Sequence, residues 1–66
     1  MIDYDPFWKT LESSSENWYT LVHKYDVNPA TLHRIKHNKP ISTVTIDMLC
    51  EILKCKVEDI IHFSSN

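Results

Sequence analysis

The dipeptide Asn28–Pro29 places the strongest local constraint on how this 66-residue chain can fold. A residue that precedes proline avoids the α-helical conformation, and proline itself is favoured at the first position of a helix. Asn28 can cap that helix with its side chain. The dipeptide therefore predicts that one helix ends before residue 28 and that another begins at Pro29.

Similar signals predict further helices on either side of this break. Asp5 before Pro6 repeats the pair of capping residue and proline, Asn17 can cap a second helix, and a fourth helix starts near Thr43. Apolar residues recur at helical spacing and form the predicted core faces, which are Phe7, Trp8 and Leu11; Leu21, Val22 and Tyr25; Leu32 and Ile35; and Ile46, Leu49, Cys50 and Leu53. A last turn contains Val57, Ile60 and Ile61. Alternating strand patterns are absent, so residues 1–66 are predicted to form one all-α domain of four or five short helices.

The chain contains no glycine, which matters where the backbone must adopt a left-handed conformation. Asn and Asp are the next most tolerant residues there, because their short polar side chains bond locally. Asp26, before the third helix, and Asn38, after it, are therefore the predicted left-handed positions.

Basic residues are concentrated around the third helix. Residues 23–39 contain four Lys and Arg against one acid, which gives +3, whereas the whole chain has a net charge of −2. One stripe of this helix lies opposite its core residues and contains Ala30, His33, Arg34 and His37. A basic face of this kind is typical of a helix that enters a nucleic-acid groove, although a merely solvated helix can have the same composition.

The segment NWYTLVHKYDVNPATLHRIKHNK, residues 17–39, resembles the helix-turn-helix of the Cro/cI-type phage-repressor family. The likeness lies in the caps before both helices and in the apolar residues Leu21, Val22, Val27, Leu32 and Ile35, and the segment CEILKCKVEDII resembles the end of that family's five-helix domain. The resemblance implies a compact, lambda-repressor-like domain of four to five helices. It also implies a sequence-specific transcriptional regulator, a repressor, that binds double-stranded DNA as a homodimer.

Site residues follow if residues 29–37 form the recognition helix in the major groove. Base contacts are expected from Ala30, His33, Arg34 and His37. Backbone contacts are expected from Asn17, Trp18, Asn28, Thr31, Lys36, Asn38 and Lys39. Two interpretations of Trp18 stay open, since it can close the edge of the core or reach a phosphate with its indole N–H.

The C-terminal segment contains the predicted dimer interface. Ile60, Ile61 and Phe63 form an apolar cluster that a domain of this size has few residues left to cover, and an exposed apolar patch usually marks an interface. The alternative is that these residues close the core over helix one.

Other chemistries are disfavoured by spacing. His33 and His37 have the spacing of a zinc pair but lack a third ligand. Cys50 and Cys55 would diverge by roughly 140° around a continuous helix. No catalytic residue, metal or cofactor is therefore expected, and the chain is not predicted to be an enzyme.

The absence of a membrane-length apolar run and of an export signal predicts a cytoplasmic protein. The alternative function is a protein-interaction module on the same fold.

Overall fold

A computed structural model describes residues 1–65 and is mostly helical, as predicted. Its four α-helices are α1 (Asp5–Ser13), α2 (Trp18–His23), α3 (Pro29–Lys36) and α4 (Thr43–Leu53), and a 3₁₀ turn follows at Val57–Asp59. None of the helices in residues 1–65 is long and apolar enough to cross a membrane. Two short strands, β1 (Ile2–Asp3) and β2 (His62–Phe63), are the addition that the sequence did not predict.

One hydrophobic core joins all four helices and the 3₁₀ turn. Its buried residues are Tyr4, Phe7, Leu11, Leu21, Val27, Leu32, Ile35, Leu49 and Ile60. Most of these positions were predicted from helical spacing, and the main addition is Tyr4. The Tyr4 hydroxyl donates to the Lys39 carbonyl oxygen at 2.7 Å, which satisfies the polar end of a ring that is otherwise in the core.

Short polar side chains cap the predicted helix starts. The Asn17 side chain accepts from the Thr20 amide at 2.9 Å, and Ser42 accepts from the Thr45 amide at 3.2 Å ahead of α4. The predicted cap at Asp5 is wrong by one residue, because α1 begins at Asp5 itself. The Asp3 carboxylate accepts from the Asp5 amide at 3.1 Å and so caps the first turn from outside the helix.

The two strands join the ends of the described chain. They pair antiparallel, with Ile2 opposite Phe63 and Asp3 opposite His62. The Asp3 carboxylate lies 3.3 Å from the His62 ring nitrogen. The pKa of Asp3 is lowered, first by the hydrogen bond from the Asp5 amide and then by His62. This pairing places the first residues beside the C-terminal segment.

Three residues other than glycine adopt the left-handed conformation. Asp26 (φ 59°) and Asn38 (φ 55°) are the two predicted positions and are confirmed, and Lys54 (φ 54°) is a third. Lys54 follows the last residue of α4, where left-handed residues commonly end a helix. Lysine is not a residue type that favours the left-handed conformation, so the sequence does not predict it at Lys54.

The turn at Lys54 brings Cys50 and Cys55 together, so the divergence expected for a continuous helix is wrong. The helix ends at Leu53, and the Cys55 amide donates back to the Cys50 carbonyl oxygen at 3.2 Å. Helix ends of this type place the side chains of the two bonded residues in contact. Partial burial and the neighbouring Cys50 thiol raise the pKa of Cys55 to about 11. Both cysteines are free thiols.

Cys55 is expected to react slowly with alkylating reagents in the folded protein. The thiolate is the reacting form, and a pKa of about 11 leaves on the order of 0.1% thiolate at pH 8. Iodoacetamide labelling followed by peptide mass spectrometry should therefore be on the order of one hundredfold slower for Cys55 in the folded than in the urea-unfolded chain. Cys50→Ser should speed the labelling, and equal rates in the two states would contradict the assigned environment.

Candidate nucleic-acid interface

Helix α3 is held by its first residues and by two core side chains. The Asn28 side chain accepts from the Ala30 amide at 2.9 Å, and Pro29 occupies the first turn, as predicted. Leu32 and Ile35 are fully buried. Because both anchors lie on one side of the helix, the opposite side faces solvent along its length.

We expect Asn28→Ala to lower the free energy of unfolding by about 1 kcal/mol. The reason is that the first-turn amide of Ala30 loses its acceptor. Urea denaturation followed by circular dichroism measures the change. Asn28→Ser is the matched control, since serine caps about as well as asparagine. An alanine variant as stable as the serine variant would argue against the cap.

The predicted base-reading stripe is present as one exposed surface. All four of its residues, Ala30, His33, Arg34 and His37, are exposed. Ala30 and Arg34 are four residues apart, as are His33 and His37, so each pair shares a side of the helix. His37 follows the last residue of α3 and donates its amide to α3 carbonyls. The stripe therefore combines a guanidinium, two imidazoles and a methyl group on one rigid element.

The asparagines predicted to contact the DNA backbone also have roles in the fold. Asn17 and Asn28 cap α2 and α3, and the Asn38 side chain accepts from the Tyr4 amide at 3.3 Å. In each case the side-chain oxygen accepts the hydrogen bond from a backbone amide. An amide whose oxygen is occupied still has two N–H donors for a phosphate. Thr31 is partly buried, whereas Lys36 and Lys39 are exposed.

Three basic side chains outside any ion pair of the described residues lie on α3 or just after it. Among residues 1–65, no carboxylate lies within salt-bridge distance of Arg34, Lys36 or Lys39. Lys24 differs, because its ammonium lies 3.8 Å from the Glu16 carboxylate and over the Tyr25 ring. These three side chains are therefore available to an anionic partner beside the exposed stripe of α3.

Glu16 is fixed in place by two neighbours. The Tyr25 hydroxyl donates to its carboxylate at 2.7 Å. This hydrogen bond is the main reason that the pKa of Glu16 is lowered, and Lys24 adds to the effect. The pKa of Lys24 is raised, by Tyr25 first and by Glu16 second. The three residues therefore form a local network of one hydrogen bond and one ion pair.

Trp18 closes the edge of the core, which is one of its two predicted roles. Its ring is stacked on Trp8, with centroids 6.1 Å apart and planes 9° apart. The His33 ring meets Trp18 edge-on at 5.4 Å and 73°. Helical spacing predicts that Trp8 lies on a core face but does not predict this stack, since no local signal relates α1 to the start of α2. Trp8, Trp18 and Lys36 line a shallow recess of about 340 Å³ beside α3.

The structure divides the three residues of the predicted dimer interface. Ile60 is 0% exposed and belongs to the core of a single chain, so it is not part of a surface patch. Phe63 is 67% exposed, and Ile61 is partly buried. Ile61 lines an apolar cleft of about 330 Å³ with Met1, Ile2, Tyr4, Asn38, Pro40, Ile41 and Ile46. Ile2 lies opposite Phe63, which places Phe63 at the rim of this cleft.

Comparison with known proteins identifies one family. A family model described as Cro/C1-type HTH DNA-binding domain matches residues 7–65. The match covers α1 from Phe7 onward, the other three helices, the 3₁₀ turn and β2. No curated protein and no solved structure matches the chain.

Proposed function

Because the chain belongs to the Cro/C1-type HTH DNA-binding domain family, we propose that it is a transcriptional repressor that binds specific sequences of double-stranded DNA. The observation that carries this proposal is the exposed stripe of α3, which has free positive charge on a helix anchored from its other side. A helix of this kind fits the major groove of B-DNA, where base pairs present distinct patterns of donors and acceptors.

Base reading is assigned to Ala30, His33, Arg34 and His37. Arg34 has the planar fork that pairs with O6 and N7 of guanine. The imidazoles offer single donors or acceptors, and the Ala30 methyl suits the methyl group of thymine. Since the side chains of Pro29 and Ala30 offer only apolar contact, reading by hydrogen bonds is concentrated in the middle and at the end of the helix.

Backbone contacts are assigned to residues that surround the stripe. Lys36 and Lys39 supply flexible point charges for phosphates. The remaining contacts are assigned to Asn17, Asn28, Thr31 and Asn38, whereas Trp18 packs against the edge of the core. None of these contacts reads sequence, so together they set affinity and register.

The test of the proposed function is selection from a random duplex pool at low salt, followed by salt titration on the enriched sequence. We expect an enriched motif and a binding constant that falls with salt. Two phosphate-bound lysines per protomer correspond to a slope of about −2 per protomer in log K against log salt. Failure to enrich any sequence, together with salt-insensitive binding to a protein, would instead support the interaction module.

We also place the homodimer contact at the apolar cleft and its rim. The exposed apolar side chains around it are Phe63, Met1 and Ile2, and no charged side chain lines the cleft within residues 1–65. A two-fold interface brings identical groups together near its axis, so an uncharged surface avoids like-charge contacts. A dimer on an inverted-repeat site should place its recognition helices about 34 to 36 Å apart.

Phe63→Glu is expected to weaken this dimer strongly, since it brings a charge and its symmetry mate into an apolar contact. Sedimentation at high micromolar concentration, with and without the selected duplex, measures the change. Val57→Glu is the matched control, because Val57 is also exposed (52%) but lies outside the cleft lining. A wild-type chain that stays monomeric under all these conditions, or equal effects of the two variants, would refute the assignment.

A further inference from the structure

We propose that Trp18 is a positioning residue for His33, and that it thereby determines base preference at the base pair that His33 reads. The proposal rests on the proposed function, since it assumes that α3 reads DNA. It adds a role for a residue on α2 whose effect on sequence preference is exerted through a second side chain.

A continuous series of ring contacts leads from the core to His33. Phe7 is fully buried and meets Trp8 edge-on, with centroids 4.9 Å apart. Trp8 is stacked on Trp18 at 6.1 Å, and Trp18 meets His33 at 5.4 Å. All three separations lie in the range in which aromatic pairs attract one another, about 4.5 to 7 Å. The His33 ring is therefore supported by groups that are themselves held by the core.

This support matters because His33 is otherwise exposed. An exposed side chain samples several rotamers, and ordering it on binding costs entropy. A ring already held against Trp18 loses less freedom when it meets a base. It also approaches the groove in one orientation, so that only some base pairs offer a matching partner. Discrimination at this base pair thus depends on Trp18.

The arrangement distinguishes Trp18 from its neighbour in the chain. Tyr19 is also a large exposed aromatic residue of α2, but its ring packs on His23, 4.3 Å away, and not on α3. Tyr19 therefore provides a matched control for loss of an aromatic ring from the same helix.

The test is a double-mutant cycle on base discrimination. Affinities for the selected duplex and for duplexes changed at the His33 base pair are measured with wild type, Trp18→Ala, His33→Ala and the double variant. Each single variant should lose about three- to tenfold of the discrimination, and the double variant should lose no more than His33→Ala alone. Trp18→Phe should restore part of it, and Tyr19→Ala should leave it intact.

A readout without DNA covers the case in which Trp18→Ala is poorly folded. In the free protein, the ring protons of His33 should show a ring-current shift in their NMR signals that Trp18→Ala removes and Trp18→Phe keeps in part. Circular dichroism of each variant reports whether the helices form. Unchanged His33 signals in a folded Trp18→Ala protein would overturn the proposal.

The outcomes distinguish failure of the proposed function from failure of the positioning role of Trp18. If the wild type enriches no sequence, the proposed function fails, and this inference fails with it. If the wild type selects a site but Trp18→Ala weakens all duplexes equally, with the same loss in the His33→Ala background, Trp18 contacts the backbone directly. In that case the positioning role is wrong while the proposed function stands.

Discussion

Leu32→Ala is expected to lower the free energy of unfolding by about 2–5 kcal/mol. Leu32 is fully buried and is one of the two residues that anchor α3 to the core. Its truncation removes apolar contacts and leaves a cavity that the surrounding helices fill only in part. A domain of this size buries only about 60% of the surface that its unfolded chain exposes, so it has little stability to lose. Thermal and urea denaturation should show a domain that is largely unfolded at 37 °C.

A milder variant keeps this prediction measurable if Leu32→Ala does not fold. Ile35→Val removes one methyl group from the other anchor and should cost about 0.5–1.5 kcal/mol. The exposed control on the same helix is Arg34→Ala, which should change stability by no more than about 0.5 kcal/mol. If Leu32→Ala were as stable as the Arg34 variant, α3 would not be held by its inner face.

The helix-turn-helix segment is the part of the fold that sequence predicts best. Its signals are local, since each cap lies within three residues of the amide that it binds, and Pro29 excludes a continuous helix. The left-handed conformations at Asp26 and Asn38 are equally local, because in a chain without glycine few other residues tolerate them. In this segment the residue type alone indicates the backbone conformation, so the sequence predicts it.

The features that sequence missed depend on contacts between distant segments. Each strand of the pair has two residues, which is too short for an alternating pattern to appear, and the paired residues lie far apart in the sequence, as Ile2 and Phe63 do. The contact of Cys50 with Cys55 depends on the left-handed conformation of Lys54, a residue type that gives no sign of it. The stack of Trp8 on Trp18 requires α1 and α2 to be packed first.

In the candidate site, too, the features with local sequence signals were predicted and the contacts between separate elements were not. Helical spacing was sufficient to predict which residues of α3 face outward, because two buried anchors determine the rotation of a helix. Helical spacing was not sufficient to predict that the His33 ring packs against Trp18 or that Lys24 forms an ion pair with Glu16. Ile60 was assigned to a surface for the related reason that apolar character does not distinguish a core position from an interface.

Arg34→Ala is expected to weaken binding to the selected duplex by about 1–3 kcal/mol and to remove discrimination at one base pair. Arg34 is exposed on the outward stripe of α3, and no carboxylate in residues 1–65 lies within salt-bridge distance of it. Its guanidinium can donate two parallel hydrogen bonds to guanine, the commonest specific contact in the major groove. No other side chain of the stripe can form this pair of bonds.

Two control variants separate base reading from charge at this position. Arg34→Lys keeps the positive charge but loses the planar fork, so it should bind a scrambled duplex as well as wild type while losing discrimination. Lys39→Ala removes a charge just beyond the C-terminal end of α3, so it should weaken all duplexes alike and reduce the salt slope by about one unit. Titration of all three variants against the selected and scrambled duplexes, at two salt concentrations, measures these effects. If Arg34→Ala lowers affinity equally for both duplexes, Arg34 contacts phosphate and the base reader must be sought among His33 and His37.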